Sequence, residues 1–176
     1  MTSKWMTENE KQALKGSMDK LAGFLALKNT ENVYDAFDAY RNFKNTIGNY
    51  NSDMAYISCL MAKKWLVKRF GNRISVFLDV SKKSQSAKGF DIEIEEYDIV
   101  GEIKNTVPCK KDGSFGAQQL ASIDSDLQKL RNSGVKNKFF FVTDKKCFDN
   151  LKNEKFKQKL KGVELVPLFK TNEGRA

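Results

Sequence analysis

The sequence predicts a mixed α/β domain preceded by a helical extension, and three observations carry that expectation. Apolar residues recur at helical spacing over positions 8–70, alternate with period two between Ile74 and Lys104, and then return as helix, strand, helix and strand. The 176 residues are 40% hydrophobic and 11% aromatic, enough for one adequate core and cramped for two. No internal repeat or Ser/Pro-rich linker divides them.

Leu14, Met18, Leu21 and Leu25 give a helix around Glu8 to Leu27, and Val33, Phe37, Tyr40 and Phe43 a second around Glu31 to Phe43. A third is expected from Ser52 to Phe70 on Met54, Ile57, Met61 and Trp65, with Gly71 as its stop. Past Gly71, Ile74-Ser-Val-Phe-Leu-Asp-Val80 alternates and reads as a strand. A polar loop then leads to Phe90-Asp-Ile-Glu-Ile-Glu95 and Asp98-Ile-Val-Gly-Glu-Ile-Lys104, a hairpin ended by Pro108. Leu120, Ile123, Leu127 and Leu130 line the next helix, which Gly134 stops. Lys138 to Thr143 has the character of a buried central strand. A Lys-rich helix around Phe148 to Leu160 and a short strand from Val163 to Leu168 complete the order α-α-α-β-β-β-α-β-α-β. Residues 1–50 are thus expected to be the helical extension, 51–170 the main domain and 171–176 a polar tail.

Composition removes several chemistries. The chain has no histidine, so Ser-His-Asp and Cys-His catalysis, His-ligated zinc and nucleases with a His base are excluded. Acid–base and metal chemistry must come from carboxylates, Lys, Tyr or Cys. Cys59, Cys109 and Cys147 are odd in number and widely spaced, unlike a disulfide framework or a zinc site, which suggests a reducing cytoplasm. The opening Met1-Thr-Ser-Lys-Trp-Met-Thr-Glu lacks the apolar core of a secretion signal, and no apolar run approaches the ~20 residues that span a bilayer.

The hairpin is the informative segment. A two-residue turn at Glu96-Tyr97 sets Glu93 against Val100, Ile94 against Ile99 and Asp91 against Glu102. Ile92, Ile94, Ile99 and Ile103 then share one face, and Asp91, Glu93, Glu102 and Lys104 the other. Carboxylates directly across a ladder repel, a cost that a divalent cation between them removes. Oxygen ligands suit Mg²⁺ or Mn²⁺, and an amine two residues beyond Glu102 can orient a metal-bound water or stabilise charge on a phosphate. An acid-x-Lys tripeptide alone is weak: 22 acids and 26 lysines give roughly three by chance, and two occur. Asp144-Lys-Lys146 has no acid strand beside it, whereas Glu102-Ile-Lys104 faces Asp91.

Gly89-Phe-Asp91 followed by Gly101-Glu-Ile-Lys104 resembles the core of the PD-(D/E)XK nucleases, the restriction-endonuclease-like superfamily. The resemblance spans 52–143 and implies an α-β-β-β-α-β core, a mixed sheet flanked by helices. It implies that Asp91 and Glu102 bind the metal, that Ile103 adds its carbonyl and that Lys104 assists the attacking water. Gln118 or Gln119, in the helix after the strands, would reach the scissile phosphate or a metal-bound water. The chain departs from the pattern in two ways: no Pro precedes Asp91, and the helix Ser52 to Phe70 has no Glu. Asp53 is a weaker substitute than Glu93 as a third acid.

The net charge is +9, and between Lys136 and Lys161 nine lysines face only Asp144, Asp149 and Glu154. Lysines outnumber arginines 26 to 5, which favours phosphate-backbone contact over base reading. Lys82, Lys83 and Lys88 before Asp91, with Lys110 and Lys111 after the hairpin, are the candidate DNA contacts. The expected activity is Mg²⁺-dependent DNA hydrolysis by a restriction-type endonuclease, with a homodimer through the N-terminal helices as the expected assembly, since cutting both strands needs two sites. Alternatives are a phage or repair nuclease, an inactive nucleic-acid-binding module on the same fold, and a protein-binding scaffold.

Overall fold

The computed structural model describes residues 5–25, 43, 50–80 and 89–169. In chain order its elements are α1 (Glu8–Leu25), α2 (Tyr50–Phe70), α3 (Ile74–Phe77), β1 (Ile92–Ile94), β2 (Ile99–Lys104), α4 (Ala117–Asn132), β3 (Asn137–Val142), α5 (Lys145–Leu151), α6 (Glu154–Lys157) and β4 (Glu164–Pro167). The strands form one mixed sheet in the order β1-β2-β3-β4, with β1 antiparallel to β2 and the other neighbours parallel. Parallel neighbours need a crossover, which α4 provides between β2 and β3, and α5 with α6 between β3 and β4.

Each strand divides its side chains between two cores. Ile92, Ile94, Ile99, Phe139, Phe141 and Val166 pack with Leu60 and Leu66 of α2, while Val100, Phe140 and Val142 pack with Ile123, Leu127 and Leu130 of α4 and with Cys147, Leu151 and Phe156. Burial on both faces explains the unbroken apolar run Phe139 to Val142. Gly101 is needed where the first core is tightest, because a Cβ there would lie 2.8 Å from Phe141 Cε2 and 3.3 Å from Ile92 Cβ.

The expected strand from Ile74 to Val80 is instead the single helical turn α3 followed by the extended residue Leu78. Ile74 and Leu78, four residues apart, are buried, whereas Val76 is 79% exposed and Phe77 44%. A strand would have put Ile74, Val76, Leu78 and Val80 on one face. Gly71, at φ +91, ends α2, and bonds from Ile74 N to Gly71 O and from Ser75 N to Asn72 O continue the chain in tight turns. Among the described residues the antiparallel part of the sheet therefore has two strands, not three. Lys82, Lys83 and Lys88 lie outside the described residues, as does the second expected helix apart from Phe43.

The hairpin loop is also longer than the expected two-residue turn. Glu95–Tyr97 form a 3-10 turn closed by Asp98 N donating to Glu95 O at 3.0 Å, with Asp98 left-handed at φ 51. A four-residue loop centred on the same peptide bond leaves the register unchanged, and Ile92 pairs with Gly101, Glu93 with Val100 and Ile94 with Ile99. The single Lys-rich helix is two pieces, α5 and α6, parted at Asn153, whose extended backbone (ψ 150) starts a new helix. Asp144 caps α5 by accepting from Cys147 N at 2.8 Å, so the second acid-x-Lys tripeptide is a helix start.

Helix α2 lies between the sheet and α1, so its deepest residues are Leu60, Ala62, Lys63, Leu66 and Val67. The expected stripe of Met54, Ile57, Met61 and Trp65 is its rim, with Met54 37% exposed. Trp5, Met6 and Leu14 pack against the same core from the N-terminal side.

Candidate active site

Asp91 sits one residue before β1, where the ladder to β2 has ended. Its Oδ2 accepts from Ile103 N at 2.8 Å, replacing the missing backbone partner. An antiparallel strand residue directs its N–H and C=O to the same neighbour, so the Ile103 carbonyl lies on the Asp91 side of β2. Continuing the observed register places Asp91 opposite Glu102. Burial pushes the Glu102 carboxyl up to about 7; a hydrogen bond from Lys129 pulls against this, and the charge of Asp91 and a hydrogen bond between the two acids push further up. The two acids thus interact directly while one stays exposed and the other is buried, with 6% of Glu102 accessible.

On the next inward position of β2, Lys104 donates to Ser122 Oγ and Asp126 Oδ2, both at 2.6 Å. Lys129 donates to Glu102 Oε1 at 2.5 Å and to the Gly89 carbonyl, with its ammonium 4.6 Å from the centre of the Phe90 ring. Helix α4 runs antiparallel to β2, so Ser122, Asp126 and Lys129 pass over Lys104 and then Glu102 in reverse order. These three residues were not singled out from the sequence. Their spacing of four and three, beside the apolar stripe of Ile123, Leu127 and Leu130, is the signal that they share the sheet-facing edge of the helix.

No family model matches the chain, and no curated protein or solved structure is similar enough to match it. The site therefore has to be read from its own chemistry.

Gln119 is committed to the loop that joins β2 to α4: its Oε1 accepts from Cys109 N and Gly116 N, and its Nε2 donates to Val107 O at 2.7 Å. Gln118 is exposed on the first turn. Lys110 and Lys111 are exposed in a turn closed by Gly113 N donating to Lys110 O, with Asp112 accepting from Ser114 N. Glu93 is exposed on β1 on the Gly89 side, whereas Asp53 accepts from Ser17 Oγ at 3.1 Å in the contact between α1 and α2. Among the described residues no cluster of three or more His, Cys, Asp or Glu could hold a metal. The donor set is two carboxylates and backbone carbonyls, a hard-oxygen set of the kind Mg²⁺ uses when it keeps several waters. An ammonium resting on two of these oxygens marks them as cation acceptors. No helix among the described residues is long and apolar enough to cross a membrane.

Proposed function

We propose that the chain hydrolyses phosphodiesters of DNA with Mg²⁺ or Mn²⁺, on a core of the restriction-endonuclease-like type. The observation that carries this reading is the pairing of Asp91 with a buried Glu102 whose carboxyl is raised to about 7. A divalent cation would relieve the repulsion between the two acids more fully than the single ammonium that rests on Glu102. Asp91, Glu102 and the Ile103 carbonyl would hold the ion, whose chemistry is to polarise the scissile phosphate and acidify a water. Lys104, steered by Ser122 and Asp126, holds its ammonium beside that water or the phosphate, where it steadies developing negative charge. Exposed lysines such as Lys110 and Lys111 supply salt-dependent contact to the phosphate backbone. A restriction-type endonuclease is the first role to test, with a phage or repair nuclease next.

One observation favours a second reading. Lys104 and Lys129 are both paired with carboxylates, so much of the cluster's charge is already compensated, as in a structural ion network of a non-hydrolytic nucleic-acid-binding protein. Plasmid incubated with Mg²⁺, with EDTA, and with Glu102→Ala or Lys104→Ala separates the two. Metal-dependent cleavage lost in both variants supports the enzyme. DNA retention without cleavage supports the binding module, and cleavage that survives Glu102→Ala places the chemistry elsewhere.

A further inference from the structure

Lys129 reaches the site from a helix that carries neither acid of the hairpin, yet its ammonium rests on Glu102, the buried acid that a metal ion there would also need. It meets Glu102 Oε1, the Gly89 carbonyl two residues before Asp91, and the π face of Phe90 between them. All three groups are cation acceptors. The side-chain exposures are unequal, 40% for Lys129 and 8% for Glu102, so the lysine approaches from solvent and covers a buried acid. Lys104 is placed differently, with its side chain 11% exposed and its ammonium tied to Ser122 and Asp126.

We propose that Lys129 is a built-in counter-cation that occupies the Glu102 carboxylate of the metal-free protein, that a divalent ion displaces it from Glu102, and that the displaced ammonium becomes a ligand for the substrate phosphate. The inference rests on the nuclease reading of the site and assigns a positioning role to a residue outside the Asp91, Glu102 and Lys104 set. A divalent ion and an ammonium cannot share one carboxylate oxygen without strong repulsion, and the lysine is the member that can leave. Its stem is flexible, its side chain is 40% exposed at the edge of α4, and its freed charge enters water, whereas Glu102 is anchored in the sheet. Moved outward, the ammonium stands at the rim of the site, where a phosphate bound by the ion would present its remaining oxygens.

Free Mn²⁺ measured by electron paramagnetic resonance reads metal occupancy without reference to cleavage. At pH 8, Lys129→Met should bind Mn²⁺ about tenfold tighter than the wild type, an ordinary coupling between two competing ligands, and Glu102→Gln should abolish the site. In the unmodified protein, Mg²⁺ should raise acylation of Lys129 by an anhydride several-fold, read by peptide mass spectrometry. Equal or weaker Mn²⁺ binding by Lys129→Met, or acylation that Mg²⁺ leaves unchanged, overturns the displacement while leaving metal-dependent cleavage by the wild type intact. Absence of Mn²⁺ binding in both proteins overturns the displacement together with the metal reading of the site.

Discussion

Two regions of the molecule place a lysine on a buried glutamate, and they differ in what else the glutamate holds. Glu10 and Lys63 are both fully buried, and the Glu10 carboxylate accepts from Lys63 Nζ at 2.8 and 3.0 Å, Val80 N at 3.1 Å and Thr7 N at 2.9 Å. Thr7 Oγ1 in turn accepts from Glu10 N, a capping box that starts α1, and Tyr56 donates to the Glu10 carbonyl. Every oxygen of that acid is engaged, so the pair closes α1, α2 and the segment after α3 into one block. Glu102 has Lys129 on one oxygen and a second acid beside it, and its lysine faces solvent. The first arrangement is complete without a ligand. The second leaves its carboxylate to a solvent-facing lysine and a neighbouring acid, so a cation arriving from water has oxygens to take.

The sharpest way to break this contrast is to remove each glutamate. Glu10→Ala leaves Lys63 charged and buried alone, and should cost about 3–5 kcal/mol in urea unfolding, the usual penalty for breaking a buried pair. At or below pH 4.5, where the Glu102 carboxyl is neutral like the amide, Glu102→Gln should change stability by under about 1 kcal/mol, because its lysine can return to water. Equal losses would mean that the sheet cluster is structural after all. Replacing Glu10 and Lys63 together by Gln and Met should cost much less than the single change, since no uncompensated charge remains.

Changing pH sharpens the same contrast with a smaller effect. Burial pushes folded Glu102 up to about 7 from an ordinary 4.5, so the folded chain holds a proton that the unfolded chain releases in that interval. Stability contributed by this group is therefore present below pH 4.5, falls as pH rises to about 7, and is constant above. Measured in EDTA, the wild type minus Glu102→Gln difference should follow that course. A difference that rises with pH would show the carboxylate to be stabilised by Lys129 more than it is penalised by burial.

The fold was legible where a local pattern had only one solution. Ile123, Leu127 and Leu130 mark the inward stripe of α4, and the apolar run Phe139 to Val142 marks a strand covered on both sides. The hairpin register survived an error in loop length, because two- and four-residue loops about one bond pair the same residues. The segment from Ile74 to Val80 misled because its composition fits both periods, and the choice fell to the tertiary burial of Ile74 and Leu78. The partners of Lys104 and Glu102 were hidden for another reason. Asp126 and Lys129 look like solvent charges until α4 is laid across β2, a packing relation that no local spacing encodes.

Gln119 offers a third test, of moderate size. Three hydrogen bonds tie its amide to Val107, Cys109 and Gly116, so Gln119→Ala should cost about 1–2 kcal/mol, and any loss of cleavage should track the loss of fold. Gln118→Ala, at an exposed position, should leave stability unchanged. Cleavage abolished by Gln119→Ala at full stability would give the amide a direct part in the chemistry.

The smallest effect is expected at the cysteines, and it asks whether the two glutamate regions open independently. Cys109 is exposed and should react with a thiol reagent at once, whereas Cys147 is buried and pushed up to about 12 by its burial and by Asp144. A neutral thiol inside the α4–α5 core reacts only through opening of the structure, so its labelling rate reports the free energy of that opening. Glu102→Gln, which leaves the core contacts in place, should alter the Cys147 rate at pH 4.5 by less than about fivefold, the factor that a change of under about 1 kcal/mol allows. Glu10→Ala acts on the opposite face of the sheet and can reach Cys147 only through global unfolding. A large rise in labelling there, with the rate in Glu102→Gln unchanged, would make the closed ion pair the element that holds both cores together.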